Sequence, residues 1–237
     1  MTQNPYGQYA APSQLGVRPD ARLAQAFLTQ AFFWMFLGLL VTTGVGVLVS
    51  SLPAAQLAGM AGLVLPLVLV QLGVAFGLGL AIRKISATVG LLLFFVFAAL
   101  TGVTLGFILV TFEIGSVLAA GSSAAAVFGA AAIYGSITKR DLTGLGPYLF
   151  MGLIGIIVAS LVNAFIGWQW LSFGVSVIGV VIFTALTAYD VQRIQRGDVA
   201  AWAGSMEKGA VMGAFHLYLN FINLFFMLLR LFGSGRN

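Results

Sequence analysis

Between Arg22 and Arg83 the chain carries no ionisable side chain, and from Leu142 to Tyr189 it again carries no charged one. Each run is too long for a single bilayer crossing of about 20 residues and suits two. The first breaks at Ser50, Ser51, Leu52 and Pro53; the second breaks at Gly167, Trp168, Gln169 and Trp170, where two indoles fit the membrane interface. Further spans are predicted over about 88–112 and 116–137, with Glu113 in the short connection, and a last one over about 208–233. Seven crossings is the simplest count.

Composition agrees, because 60% hydrophobic and 7% charged residues with a mean hydropathy of +1.06 exclude a soluble globular domain. A net charge of +5 and a pI near 9.9 do not point to nucleic acid, since the basic residues are sparse and sit between apolar runs, as topogenic charges do. Arg18 with Arg22, Arg83 with Lys84, Lys139 with Arg140, and Arg193, Arg196 and Lys208 fall on alternate connections. The positive-inside rule then puts the N-terminus in the cytoplasm. Seven crossings leave Arg230 and Arg236 outside, so a last helix that re-enters is kept as a second reading. Residues 1–20, rich in Gln, Pro, Gly and Tyr, read as a short disordered cytoplasmic tail without a cleavable signal peptide, 21–233 as one helical bundle, and 234–237 as a short tail.

The last span departs from plain apolarity. Gly209, Gly213, His216, Asn220 and Asn223 recur at steps of four and three, which puts them along one helical face. Hydrocarbon cannot satisfy an amide or an imidazole, so this stripe must face protein or water. The expected fold is therefore all-α and integral to the membrane, with the seventh helix central and wrapped by the other six. Gly73 with Gly77, Gly102 with Gly106, and Gly209 with Gly213 show the small-xxx-small spacing that lets helices approach closely in lipid.

Chemistry-bearing residues are few. Asp190 ends the sixth span; a carboxylate there is expected to have a partner, either Arg193 nearby or the polar face of the seventh helix. For Asn220 and Asn223 the plain alternative is interhelical hydrogen bonding, and His216, the single histidine, is expected to be packed rather than a metal ligand or pH sensor. Asn163 and Gln71 are expected to bond across helices or face the bundle interior, and Glu113 to be a solvated loop acid. With no cysteine there is no disulfide framework and no thiolate nucleophile or metal ligand. Gly121-Ser122-Ser123 lacks the glycine that a nucleophile elbow needs, and no phosphate-binding glycine loop occurs, so neither an enzyme nor a cofactor is expected.

Three separated motifs carry a resemblance. Thr138-Lys139-Arg140-Asp141-Leu142 with Gly144 and Gly146, Leu186-Thr187-Ala188-Tyr189-Asp190 with Gln192, and Leu217-Tyr218-Leu219-Asn220-Phe221-Ile222-Asn223-Leu224-Phe225 with Leu228-Leu229-Arg230 resemble the bacterial branch of the Bax inhibitor-1 (transmembrane BAX inhibitor motif) family. The resemblance covers about residues 21–233. It implies a last helix surrounded by the others, a place in the bacterial plasma membrane, and a pH-sensitive calcium leak gated by paired aspartates on the sixth and seventh helices. Here those positions are Asp190 and Asn220, so the second is an amide; Asn223 and His216, on the same helix face, are counted with them in the expected ion path or gate, and Arg193 as a possible ion-pair partner of the gate. An amide donates a hydrogen bond to a carboxylate but cannot titrate, so proton control of such a leak is expected to be weak or shifted. Tight calcium binding is not expected, because that ion takes roughly six to eight oxygens, several usually from carboxylates; passing calcium would meet Asp190 only transiently. The resemblance also implies a second role, in which related bacterial members bind and restrain a membrane-embedded quality-control protease without passing ions.

Overall fold

The computed structural model describes residues 21–233. The expected tails, 1–20 and 234–237, and Arg236 lie outside the described residues. Nine α-helices follow one another: α1 (Ala21–Ser50), α2 (Ala54–Met60), α3 (Val64–Ala81), α4 (Ala87–Leu109), α5 (Ile114–Ile137), α6 (Gly146–Ile166), α7 (Gln169–Gln195), α8 (Asp198–Ala203) and α9 (Met206–Phe232). Seven are long and apolar enough to cross a membrane, the exceptions being the short α2 and α8. The breaks fall where the sequence placed them. Pro53 precedes α2, and Gly167, in the left-handed region at φ 68°, ends α6 while the Asn163 side chain accepts a hydrogen bond from Trp168 N at 2.9 Å.

Two features were not expected. The second span is divided, with α2 running through a short 3-10 turn at Ala61–Leu63 into α3. A one-and-a-half-turn helix, α8, joins α7 to α9; it is set off by Gly197 (φ 78°) and Gly204 (φ 90°), backbone angles that a side chain would strain.

Helix α9 is the core. In its most apolar window 72% of the residues are buried, against 6% for α3 and 6% for α6. It packs on α1, α4, α5, α7 and α8, whereas α3 leans on α4 and α6 leans on α7. The expectation that all six other spans wrap α9 is thereby narrowed: four long helices enclose it, and α3 and α6 stand outside that ring. Its 27 residues form one continuous helix, about 40 Å long at 1.5 Å per residue. The helix has no break at which the chain could turn back, and Arg230 sits at the opposite end of it from Lys208.

The packing follows from small residues on facing surfaces. On α1, Phe27, Ala31, Met35, Gly38, Thr42 and Gly46 are buried at steps of four and three, forming a single stripe toward the core. A Cβ on Gly102 would lie 2.7 Å from Thr42 O, and one on Gly106 would lie 2.5 Å from Val49 Cβ, so α1 and α4 approach at glycine distance. Gly209 is similarly closed by Ala200 of α8, and Gly213 by Ile194 of α7 and Ala31 of α1. Gly73 and Gly77 depart from their expected packing role, because no atom lies within 4 Å of a Cβ at either; α3 turns that face outward.

Candidate functional site

The site lies where α7 and α9 run side by side. Asp190 is five residues from the end of α7 and Asn220 is in the middle of α9; both are buried, at 7% and 4% exposure. Asn220 Nδ2 donates to Asp190 Oδ2 at 2.8 Å. A hydrogen bond to an ionised acceptor is stronger than a neutral one, and here it meets the need of each group for a partner away from water. His216, one turn before Asn220, turns its Nδ1 toward the other carboxylate oxygen at 3.8 Å, beyond hydrogen-bond range. That Nδ1 is a buried polar atom without a hydrogen-bond partner. The expectation that His216 is satisfied by packing is corrected. Its ring lies beside the acid.

The structure thus brings Asp190, Asn220 and His216 together and leaves two other named residues apart. Asn223 donates from Nδ2 to Leu219 O of its own helix at 2.8 Å and is only partly buried, so it makes no bond across helices. Arg193 does not pair with Asp190; its guanidinium lies over the Tyr189 ring, 5.3 Å from the centroid, where the ring face attracts the cation. Thr187 and Ser176, on the Asp190 side of α7, are buried but donate back to Phe183 O and Ser172 O of their own helix. Gln71 does bond across helices, donating to Thr104 Oγ1 of α4 at 3.1 Å, but this is away from the acid. Asn163 serves the α6–α7 turn rather than a neighbouring helix.

Close backbone contact holds the acid in place. Gly135 of α5 lies against the Ala188 backbone, with its absent Cβ leaving room for the Ala188 carbonyl. Two residues beyond Asp190, the buried Gln192 accepts from Leu142 N at 2.9 Å and donates to Arg140 O at 2.8 Å, fastening the α5–α6 connection to α7. Arg196 adds an ion pair to Asp141 at 2.6 Å. Hydrogen bonds from the Thr143 backbone and hydroxyl, followed by that from Arg196, lower the Asp141 carboxyl to about 2.

Tyr218 and Gln192 were quoted only as parts of motifs, and the sequence did not single them out as structural groups. The fully buried Tyr218 hydroxyl lies 2.6 Å from Thr42 Oγ1, which donates to Ala98 O at 2.8 Å, tying α9 to α1 and α4. Phe94 and Phe97 meet the Tyr218 ring edge to face. The available signal was position. Tyr218 is two residues before Asn220, about 200° around the helix, on the face away from the acid. Among the described residues no group of three His, Cys, Asp or Glu stands close enough to hold a metal ion.

A bundle of seven apolar helices, four of them enclosing a polar last helix that pairs an amide with a buried carboxyl group of α7, defines an integral membrane protein with a sheltered acid. The chain belongs to the Bax inhibitor-1 family: residues 24–237 match the family described as "Inhibitor of apoptosis-promoting Bax1". It is 40% identical over 225 residues to "Inner membrane protein YbhL" of Escherichia coli K12, covering 93% of this chain and 96% of that one. It is 36% identical to an uncharacterized protein of Deinococcus radiodurans, covering 90% of this chain and 92% of that one. A protein of Borreliella burgdorferi, also uncharacterized, is 44% identical over 173 residues, 72% of this chain and 75% of that one.

Proposed function

We propose that the protein is a passive cation pathway, for calcium, in a bacterial inner membrane, with its N-terminus in the cytoplasm and Asp190 as its charged gate. The observation that carries this reading is the buried hydrogen bond between Asn220 and Asp190. A carboxylate within the span region is expensive in lipid and is retained where it serves ions or protons. Here it is held by a group that can change sides. In the closed state the amide presents N–H to the acid; after rotation about its side chain it presents its carbonyl oxygen, so carboxylate and amide together offer oxygen ligands to a passing cation. Two such residues give weak, transient coordination, which suits passage rather than storage. No reaction is assigned to the site.

Calcium efflux from proteoliposomes, measured across pH for the parent, Asp190→Asn and Asn220→Asp, tests the reading. Asp190→Asn is expected to abolish flux, and Asn220→Asp to introduce a steep pH dependence as two facing carboxylates come to share a proton. Equal flux in the parent and Asp190→Asn would remove Asp190 from the pathway. The alternative, an interaction protein that binds a membrane protease without ion flux, would draw on lipid-facing surfaces or on residues 1–20; the latter lie outside the described residues, and no described feature favours this role over the pathway.

A further inference from the structure

A second polar cluster lies far from Asp190, at the end of the bundle that holds Arg230. Ser160, Asn163 and Ala164 of α6, Ser172 and Val175 of α7, and Arg230 of α9 line a cleft of about 280 Å³. It lies where α6, which packs on α7 and not closely on α9, stands off from the end of α9, with α7 between them. Two kinds of hydrogen-bond donor converge on it. The Arg230 guanidinium forms no ion pair among the described residues, and Glu113, the acid in the connection at this end, does not reach it. The Ser160 and Ser172 hydroxyls make no hydrogen bond to any of the described residues.

The surroundings place this cleft at a lipid surface. Trp168 and Trp170 flank the start of α7 at 57% and 75% exposure, the positions that anchor a helix at head-group depth. Below them Phe165, at 91% exposure, Leu161 and Phe173 form a bare apolar wall on α6 and α7.

We propose that this cleft is a phospholipid site: Arg230 and the Ser160 and Ser172 hydroxyls hold a head-group phosphate, and the acyl chains lie along the exposed α6–α7 wall. Arginine matches phosphate by charge and by its fork of donors. The assignment also gives Arg230 a role on the end of the bundle from which lysine and arginine are otherwise depleted.

The test uses the full chain in detergent, following its Tm as phosphatidylglycerol is added. Diacylglycerol, which has the same chains and no phosphate, and inorganic phosphate, which has no chains, are titrated in parallel. Phosphatidylglycerol is expected to raise the Tm of the parent and of Lys84→Gln, a variant with the same charge loss on an exposed connection at the other end, and to lose this effect in Arg230→Gln. The double variant Ser160→Ala/Ser172→Ala, which keeps every charge, is expected to show a reduced response and supplies the result if Arg230→Gln does not fold. Retention of the full response in either cleft variant overturns the proposal. A response to diacylglycerol equal to that to phosphatidylglycerol overturns the phosphate contact, and a response to inorganic phosphate equal to that to the lipid overturns the lipid as occupant.

Discussion

Asp190 has two buried neighbours with different chemistry, and the difference predicts how the site answers to pH. Asn220 keeps the same charge at every pH, whereas His216, 3.8 Å from Oδ1, becomes a cation when it takes up a proton. An imidazolium beside the carboxylate competes with any metal cation for it. On the proposed pathway, calcium flux is therefore expected to fall as the pH is lowered, and His216→Gln to flatten that fall while leaving flux near neutral pH intact. An unchanged profile in His216→Gln would show that the imidazole does not act on the gate. Asp141 offers a simpler case outside the spans. Its carboxyl is lowered from 3.8 to about 2 by Thr143 and Arg196, so what it adds to stability is complete above about 4 and disappears as the pH falls through about 2. Asp141→Asn should lack this acid-dependent component, so its Tm is expected to change less than that of the parent between those two pH values. At this scale the sequence was informative about which residues matter and less so about which way they point. Asn223 follows Asn220 by three positions, a turn of about 300° that sets it roughly 60° aside, and that was enough to send its amide to its own backbone.

At the scale of elements, glycine spacing predicted contact only where a neighbour was available. Gly102 and Gly106 lie against α1, while Gly73 and Gly77 have the same spacing and face outward. The motif states that a helix could approach, and whether one does depends on which faces the remaining helices have already occupied. Gly106→Val is accordingly expected to destabilise the bundle by about 1–3 kcal/mol through overpacking against Val49. Gly73→Ala should be neutral or stabilising by less than about 1 kcal/mol, since a methyl meets open space and helix propensity improves. Thermal unfolding of the two variants in one detergent distinguishes them, and equal losses would refute the packing difference. The division of the second span was not legible because nothing around Ala61–Leu63 interrupts the hydropathy, and α8 was not because it is a short helix inside the charged connection between the last two spans, set off by the backbone angles of Gly197 and Gly204.

For the whole molecule, charge-free runs made the number of spans readable, and the polar stripe made the central helix readable. The number of helices around it was not. Mean apolarity does not distinguish α3 or α6, whose exposed faces meet lipid, from α4, whose faces meet protein; hydropathies of 2.2, 2.4 and 2.5 go with 6%, 6% and 39% burial. Side chains look alike to hydropathy whether hydrocarbon or another helix surrounds them. Orientation can be measured directly because the chain contains no cysteine. With single cysteines labelled by a membrane-impermeant maleimide, Lys84→Cys and Lys139→Cys are expected to react only from the cytoplasmic side, and Glu113→Cys only from the opposite side. The reverse pattern would invert the proposed topology.

The most enclosed helix is also less apolar than its neighbours in the ring, and it is made after them: α9 has a hydropathy of 1.6, where α1, α4 and α7 have 2.2, 2.5 and 2.2. During synthesis, six spans must therefore wait in the bilayer around an unfilled centre, with Asp190 lacking its amide donor until the seventh arrives. Biogenesis thus has a vulnerable interval of its own, in which a stalled or shortened chain displays an unpaired acid to lipid and to whatever machinery inspects half-built membrane proteins.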